Sequence, residues 1–244
     1  MKALYIIAVT GGIACGKTVV SYEIRKYGAE VVSADHLVYN LSNPGQPIYD
    51  AYVDHFGAGI LQEDGKLDRR SIACIVFNDP LEKQWVDQTT HPMILSRIRQ
   101  QLVDIQKRGA PIAVLDVPLL FEAGWEYLAD EVWVVWLQRS RQFRRLMYRN
   151  RISYLEAFAR INAQMDVRDK RALADVSINN SKNKYELKKK VQRLMLAKFP
   201  HLTRQGPSIE EEEAEYLAAR EAKKFEAKNI AESNPVEGDP PYSS

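Results

Sequence analysis

Cysteine and histidine are scarce. Two cysteines, Cys15 and Cys74, and four histidines (36, 55, 91 and 201) are spread over 244 residues. None of them falls at a metal-ligand spacing, which argues against a zinc site and against a disulfide framework. So few thiols suit a reducing compartment. Long apolar runs are also missing. Leu4–Val9 stops at Thr10-Gly11-Gly12 with only Lys2 as a basic flank, too short for a secretory h-region. No stretch approaches the roughly 20 apolar residues of a membrane span. Excess charge of one sign is absent too. The net charge of +2 does not demand a polyanionic partner. The expectation is a cytoplasmic protein that binds neither membrane nor nucleic acid. No internal repeat is visible, and no pattern speaks to oligomeric state.

What is present is globular: 45% apolar and 27% charged residues, a length that suits one domain or one with an insertion. The charge is uneven. Residues 201–244 hold ten acids and five bases, a net of −5, which leaves the body at +7. This places a boundary near Pro200–Pro207, with Gly206-Pro207 as punctuation, and we divide the chain into 1–200 and an acidic, partly helical extension, 201–244. Ser208 and Glu211 form a capping-box pattern, helix formers continue to about Asn229, and Asn234-Pro235 and Asp239-Pro240-Pro241 read as a disordered end. The extension is either a solvated appendage or a docking helix.

In the body, strands are expected at Leu4–Val9, Glu30–Ser33, Pro111–Val117, Val132–Leu137 and Val176–Asn179. Helices are expected at Lys17–Tyr27, Arg141–Arg149, Tyr154–Gln164, Asp169–Ala174 and Tyr185–Ala197. Alternation with apolar strands predicts an α/β fold, a parallel sheet covered on both faces in a three-layer sandwich. The stretch from about 36 to 107 interrupts that alternation. It reads as a helical insertion over the carboxyl ends of the strands, broken at Asn43-Pro44-Gly45, Asp64-Gly65 and His91-Pro92.

The strongest motif is Gly11-Gly12-Ile13-Ala14-Cys15-Gly16-Lys17-Thr18, which fits the P-loop pattern between a strand and a helix. Glycines let backbone N–H groups turn inward onto phosphate oxygens, and the helix N-terminus adds partial positive charge. Gly12 to Val19 would cradle ATP, Lys17 would span the β- and γ-phosphates, and Thr18 would ligate Mg²⁺. A GTPase base-reading motif is not matched. Asn183-Lys184-Tyr185-Glu186 comes nearest, but its fourth residue is Glu. Asp35 follows a short strand, where a carboxylate serves either as a catalytic base or as a helix N-cap. Asp116 ends another strand and is either a Mg²⁺ ligand, a strand-end cap or a partner for an arginine, and Glu122 is a weaker metal candidate. Residues 132–155 contain six arginines and no acid. That bias suits a polyphosphate or a basic surface, although no aromatic platform is interleaved as single-stranded nucleic acid would require.

The blocks taken together resemble the dephospho-CoA kinase family of P-loop kinases. They are Thr10–Ile13 with Gly16–Thr18, Ala34-Asp35, Asn43–Gly45, His55-Phe56-Gly57, Asp64–Arg69, Val76-Phe77, His91-Pro92, Asp116–Glu122, Arg145–Met147, Arg149, Arg160–Gln164 and Asn179-Asn180. The resemblance implies ATP-dependent phosphorylation of the 3′-hydroxyl of dephospho-CoA. It implies that Asp35 activates that hydroxyl. It also implies a mobile arginine-rich lid, about 139–165, with Arg145 and Arg149 on the transferring phosphoryl group, and the loop of Asn179 and Asn180 near the adenine, for which the other reading is a plain turn. The insertion would hold the acceptor, where Phe56, Arg69, Phe77 and His91 are the substrate-binding candidates. For Phe56 and Phe77 the other reading is helical core, and for His91 a helix start. Two positions depart from the family pattern. Ser33 stands where an acid is usual, and Ala14 stands where glycine is more frequent.

Overall fold

The computed structural model describes residues 4–233. Strands β1 (Tyr5–Gly11), β2 (Glu30–Ser33), β3 (Ile112–Asp116), β4 (Glu131–Trp136) and β5 (Val176–Asn179) form one sheet in the order β2-β3-β1-β4-β5. Every neighbouring pair is parallel. The pleat sends alternate side chains to opposite faces. Ile7, Val9, Ile112, Val114, Trp133 and Val135 therefore join one core, whereas Ala8, Ala113, Leu115, Val132 and Val134 join the other. Both faces are apolar because both are covered.

Helices α1 (Lys17–Arg25) and α9 (Lys184–Lys198) cover the first face, contributing Val20, Ile24, Leu187, Val191 and Met195. On the second face lie α2 (Ala34–Leu41), α3 (Pro47–Phe56) and α5 (Pro80–Arg108). Helix α4 (Arg69–Asn78) begins at Asp68, whose carboxylate accepts from the amides of Arg70 and Ser71. Helices α6 (Arg139–Asn150) and α7 (Tyr154–Asn162) share a small core of Phe143, Leu146, Ala157 and Ile161, and α8 (Val167–Ala172) leads to β5. Asn183 caps α9 by accepting from Glu186 N–H, so the motif nearest to base reading is a helix start.

The break expected at His91-Pro92 does not occur. Helix α5 runs through Pro92 for 29 residues. Asp79 caps it and Pro80 starts it, while Ile94, Ile98, Leu102 and Ile105 bury one face against the sheet. That burial outweighs the single hydrogen bond that proline removes. His91 is consequently a mid-helix residue, not a helix start.

Two compact units divide the chain between Gln205 and Gly206, inside the Pro200–Pro207 stretch where the charge shifts and five residues beyond the division drawn at 200. Residues 201–205 belong to the body for local reasons. Gln205 N–H donates to the carbonyl of Lys26 at 2.7 Å, and the Arg204 guanidinium pairs with the buried Glu23 carboxylate at 2.5 Å. The second unit carries α10 (Ile209–Ser233), four residues longer than expected, with the Ser208–Glu211 capping box in place. The segment expected to be disordered, from Asn234 on, lies outside the described residues.

Candidate active site

The carboxyl ends of β1, β2 and β3 meet where the strand order reverses about β1, the place where open parallel sheets bind ligands. The loop after β1 is shaped by its neighbours. Gly11 has φ +143, and a Cβ there would stand 2.0 Å from the carbonyl oxygen of Val135, so no side chain fits. Gly16, at φ +96, leads into α1. Ala14 takes φ +60, a left-handed conformation that strains any residue with a Cβ by about 1 kcal/mol. The loop therefore keeps a glycine-like bend with alanine in it.

A cavity of about 1090 Å³ opens above this loop. Ile13, Ala14, Gly16, Lys17 and Thr18 line it from the loop, Ser33 and Asp35 from the end of β2, Asp116 from β3, His91 from α5, and Arg145 and Arg149 from α6. Lys17 Nζ donates to the carbonyl of Gly11 at 3.3 Å. Burial lowers the Lys17 pKa, and the carboxylates of Asp116 and, more weakly, Asp35 pull it back up. Burial raises the Asp116 pKa, against a hydrogen bond of 2.9 Å from Ser21 Oγ and the Lys17 charge, while Asp35 adds to the rise. One ammonium thus faces two carboxylates on a phosphate-sized loop. Asp35 is exposed to the cavity in the first turn of α2. The N-cap of that helix is Ser33, whose hydroxyl accepts from His36 N–H at 3.4 Å, so Asp35 does not serve as the cap.

The remaining candidates are distributed differently. Gly12 and Cys15 are buried beneath the loop, and Val19 packs on the core. Burial raises the Cys15 pKa, which keeps a protonated, unreactive thiol. Phe56 packs beside the Ile60, Leu67 and Ile72 core and meets the Trp85 ring edge-on at 5.4 Å, so it is core. Phe77 is 67% exposed near the end of α4. Arg69 lies over the Tyr39 ring and lines a separate cavity of about 250 Å³. Of the four acceptor candidates in the insertion, His91 alone lines the main cavity.

Asn179 turns away from the loop: its side chain accepts from Ser181 N–H, and its carbonyl accepts from Lys190. Its neighbour Asn180 reaches the loop instead. Buried, it donates through Nδ2 to the carbonyl of Cys15 at 2.8 Å and receives Arg145 at its own carbonyl. The sequence pointed to the Asn179-Asn180 pair, and Asn180 is the member that reaches the loop. Glu122 is an exposed residue but already engaged, accepting from Met165 N–H and pairing with the fully buried Lys170 at 2.8 Å, so it is no free metal ligand. Lys170, buried in a short charged helix, gave no sequence signal of its burial.

The arginines also divide. Arg145 reaches the carbonyls of Asn180 and Lys182 from inside the cavity, and Arg149 is exposed toward it. Arg141 binds the carbonyl of Ser181, Arg139 binds Asn162 and Asp166, and Arg151 closes α6 at φ 52. Among the described residues no group of three or more His, Cys, Asp or Glu gathers as a metal cage. Thr18 and Asp116 nevertheless present hard oxygen donors to one cavity, the type of donor Mg²⁺ takes alongside phosphate oxygens and water.

Comparison with known proteins bears on this geometry. Residues 5–186 match the family model described as dephospho-CoA kinase. A protein named dephospho-CoA kinase from Symbiobacterium thermophilum is 43% identical over 175 residues, 72% of this chain and 73% of its own. One of the same name from Geobacter sulfurreducens is 38% identical over 195 residues, 80% of this chain and 99% of its own. Among solved structures, a protein from Thermus thermophilus superposes with a TM-score of 0.70 at 29% identity, over 81% of this chain and 99% of that one. Dephospho-CoA kinase from Campylobacter jejuni gives 0.58 at 27% identity, over 78% and 94%. With a phosphate-binding loop, two carboxylates and two arginines on one cavity, and with relatives of this similarity along nearly the whole body, the chain belongs to the dephospho-CoA kinase family.

Proposed function

We propose that the protein transfers the γ-phosphoryl group of ATP to the ribose 3′-hydroxyl of dephospho-CoA, giving ADP and CoA in the final step of coenzyme A synthesis. The observation that carries this reading is the single cavity shared by Lys17, Thr18, Asp35, Asp116, Arg145 and Arg149. The loop amides from Gly12 to Val19 and Lys17 hold the ATP phosphates, and the Asn179-Asn180 turn flanks the base. Thr18 and Asp116 are the residues that would hold Mg²⁺. When bound, that ion neutralises phosphate charge.

Asp35 is suited to orient the acceptor hydroxyl and take its proton as the new bond to phosphorus forms. It lines the same cavity as the loop, near enough for its charge to act on Lys17, so an acceptor held in that cavity can meet both the carboxylate and the γ-phosphate. Arg145 and Arg149 stabilise the charge that spreads over the transferring oxygens, where planar guanidinium groups bind two oxygens at once. As parts of a lid spanning about 139–165 they also exclude water, which suppresses wasteful hydrolysis. The helical part at about 36–107 receives dephospho-CoA, with His91 in its wall. Two free cysteines support a cytoplasmic setting.

The test is ADP release from Mg-ATP with dephospho-CoA, AMP, adenosine or no acceptor. Release that depends on dephospho-CoA, with CoA as product, is the expected outcome. Equal release without acceptor, or release with AMP alone, overturns the assignment.

A further inference from the structure

The tip of the phosphate loop is held by two amides from outside it. Gln164 Oε1 accepts from the Ile13 N–H at 2.9 Å, and Gln142 Nε2 donates to the Ile13 carbonyl at 3.0 Å. The chemistry fixes both orientations, since a backbone N–H only donates and a backbone carbonyl only accepts. The two glutamines lie in different elements, Gln142 on α6 and Gln164 just after α7. Gln142 is 4% exposed, so its amide is committed to this contact. Ile13 and Ala14 also pack against the Phe143, Leu146, Ala157 and Ile161 core that joins α6 to α7.

The grip acts where the loop is strained. The Ile13 carbonyl belongs to the peptide that leads into Ala14, the residue at φ +60. An alanine left to itself leaves that region. Something must hold the peptides around it, and the two glutamine bonds are the polar contacts that do so from a distance in sequence.

We propose that Gln142 and Gln164 are positioning residues for nucleotide binding, a clamp that keeps the strained Ile13-Ala14 segment in its phosphate-binding shape. The proposal rests on the functional reading above in one respect only, that this loop binds ATP phosphates. It assigns the glutamines no contact with nucleotide. They act through Ile13, and they tie both ends of the arginine-bearing segment to the loop.

The test uses the full chain and the Mg²⁺ complex of adenylyl imidodiphosphate, whose affinity is measured by calorimetry without turnover. Gln164→Met and Gln142→Met keep side-chain length but remove the hydrogen bond. Each is expected to weaken the analogue about tenfold, the scale of one lost hydrogen bond. Ala14→Gly removes the strain that the clamp opposes. In that background the same Gln164→Met change is expected to cost only about two- to threefold, since glycine holds φ +60 unaided.

A general structural role would lower the melting temperature of Gln164→Met yet leave its affinity alone, or lower affinity by the same factor with Ala14 or Gly at position 14. Either result overturns the clamp. Circular dichroism of each variant establishes that it is folded, and if Gln142→Met does not fold, the Gln164 and Ala14 cycle decides alone. Wild-type protein that binds the analogue but shows no acceptor-dependent ADP release overturns the kinase reading and leaves the clamp standing.

Discussion

At the end of β3, Asp116 shows how a single residue trades stability for chemistry. Its pKa is raised chiefly by burial, more than the Ser21 hydrogen bond and the Lys17 charge lower it. A carboxyl whose folded pKa exceeds its unfolded value stabilises the fold fully below the unfolded pKa, and that contribution is lost as pH rises through the folded pKa. At neutral pH the charged group is therefore a burden on the fold. Asp116→Asn is expected to raise the midpoint of urea unfolding at pH 7, to flatten the loss of stability above pH 4, and to reduce turnover severely. Unfolding curves across pH, with ADP release on the same samples, check both halves, and a lower midpoint at pH 7 contradicts the account. Asp35 differs in being open to the cavity and outside the N-cap role. If it takes the acceptor proton, Asp35→Asn lowers kcat by about 10²- to 10⁴-fold, the span of general-base contributions, with the KM for ATP little changed. A rise in KM at unchanged kcat would make it a binding residue instead.

Helix α5 shows what sequence patterns at the level of an element can and cannot reveal. Proline signalled a break that the tertiary structure overrides. The cost remains, because Pro92 offers no N–H to the carbonyl of Gln88 within the 29-residue helix. Pro92→Ala is expected to stabilise the body by about 2 kcal/mol once the freer unfolded chain is discounted, as read from urea unfolding. No gain would mean that the turn around Pro92 is already relaxed. The phosphate loop was legible because its motif lies in eight consecutive residues, although the groups that hold its shape do not. Apolar strands were legible for the same local reason. Gln142 and Lys170 were not, since each acts on a residue far away in the chain, and Gln164 and Asn180 stood out only as parts of family blocks, with nothing local to show what they hold. Conversely, Phe56, Phe77 and Arg69 carry residue types that suit a ligand, yet whether a helix turns such side chains toward the cavity depends on packing that composition does not encode. The six arginines posed the same problem at one remove. Their bias was visible, but it was the family resemblance and not the bias that singled out Arg145 and Arg149, the two that line the cavity.

For the molecule as a whole, the question is where the body ends. The charge shift places a boundary near Pro200–Pro207, drawn at 200, and packing sets it after Gln205. The difference of five residues has an energetic consequence. Glu23 is fully buried in α1 and faces the Arg204 guanidinium at 2.5 Å, with Arg204 itself only 9% exposed. Leu202 packs on the core beside Phe199, and Gln205 N–H closes the turn after α1 on the carbonyl of Lys26. A chain cut after Pro200 keeps Glu23 but loses its nearer counter-charge, leaving Lys26 Nζ at 4.0 Å, and breaking a buried ion pair in this way costs about 3 kcal/mol or more. A chain cut after Gln205 keeps all three contacts. The shorter chain is therefore expected to unfold about 3 kcal/mol more easily than the longer, a shift of roughly 6–12 °C in Tm at this size. Glu23→Leu in the shorter chain removes the underpaired charge and is expected to recover part of the loss, because an apolar side chain needs no partner in that position. Differential scanning calorimetry of the three chains at pH 7 decides the matter. Equal melting temperatures for the two truncations would mean that water reaches Glu23 once Arg204 is gone, so that the pair closes the body's edge without stabilising it.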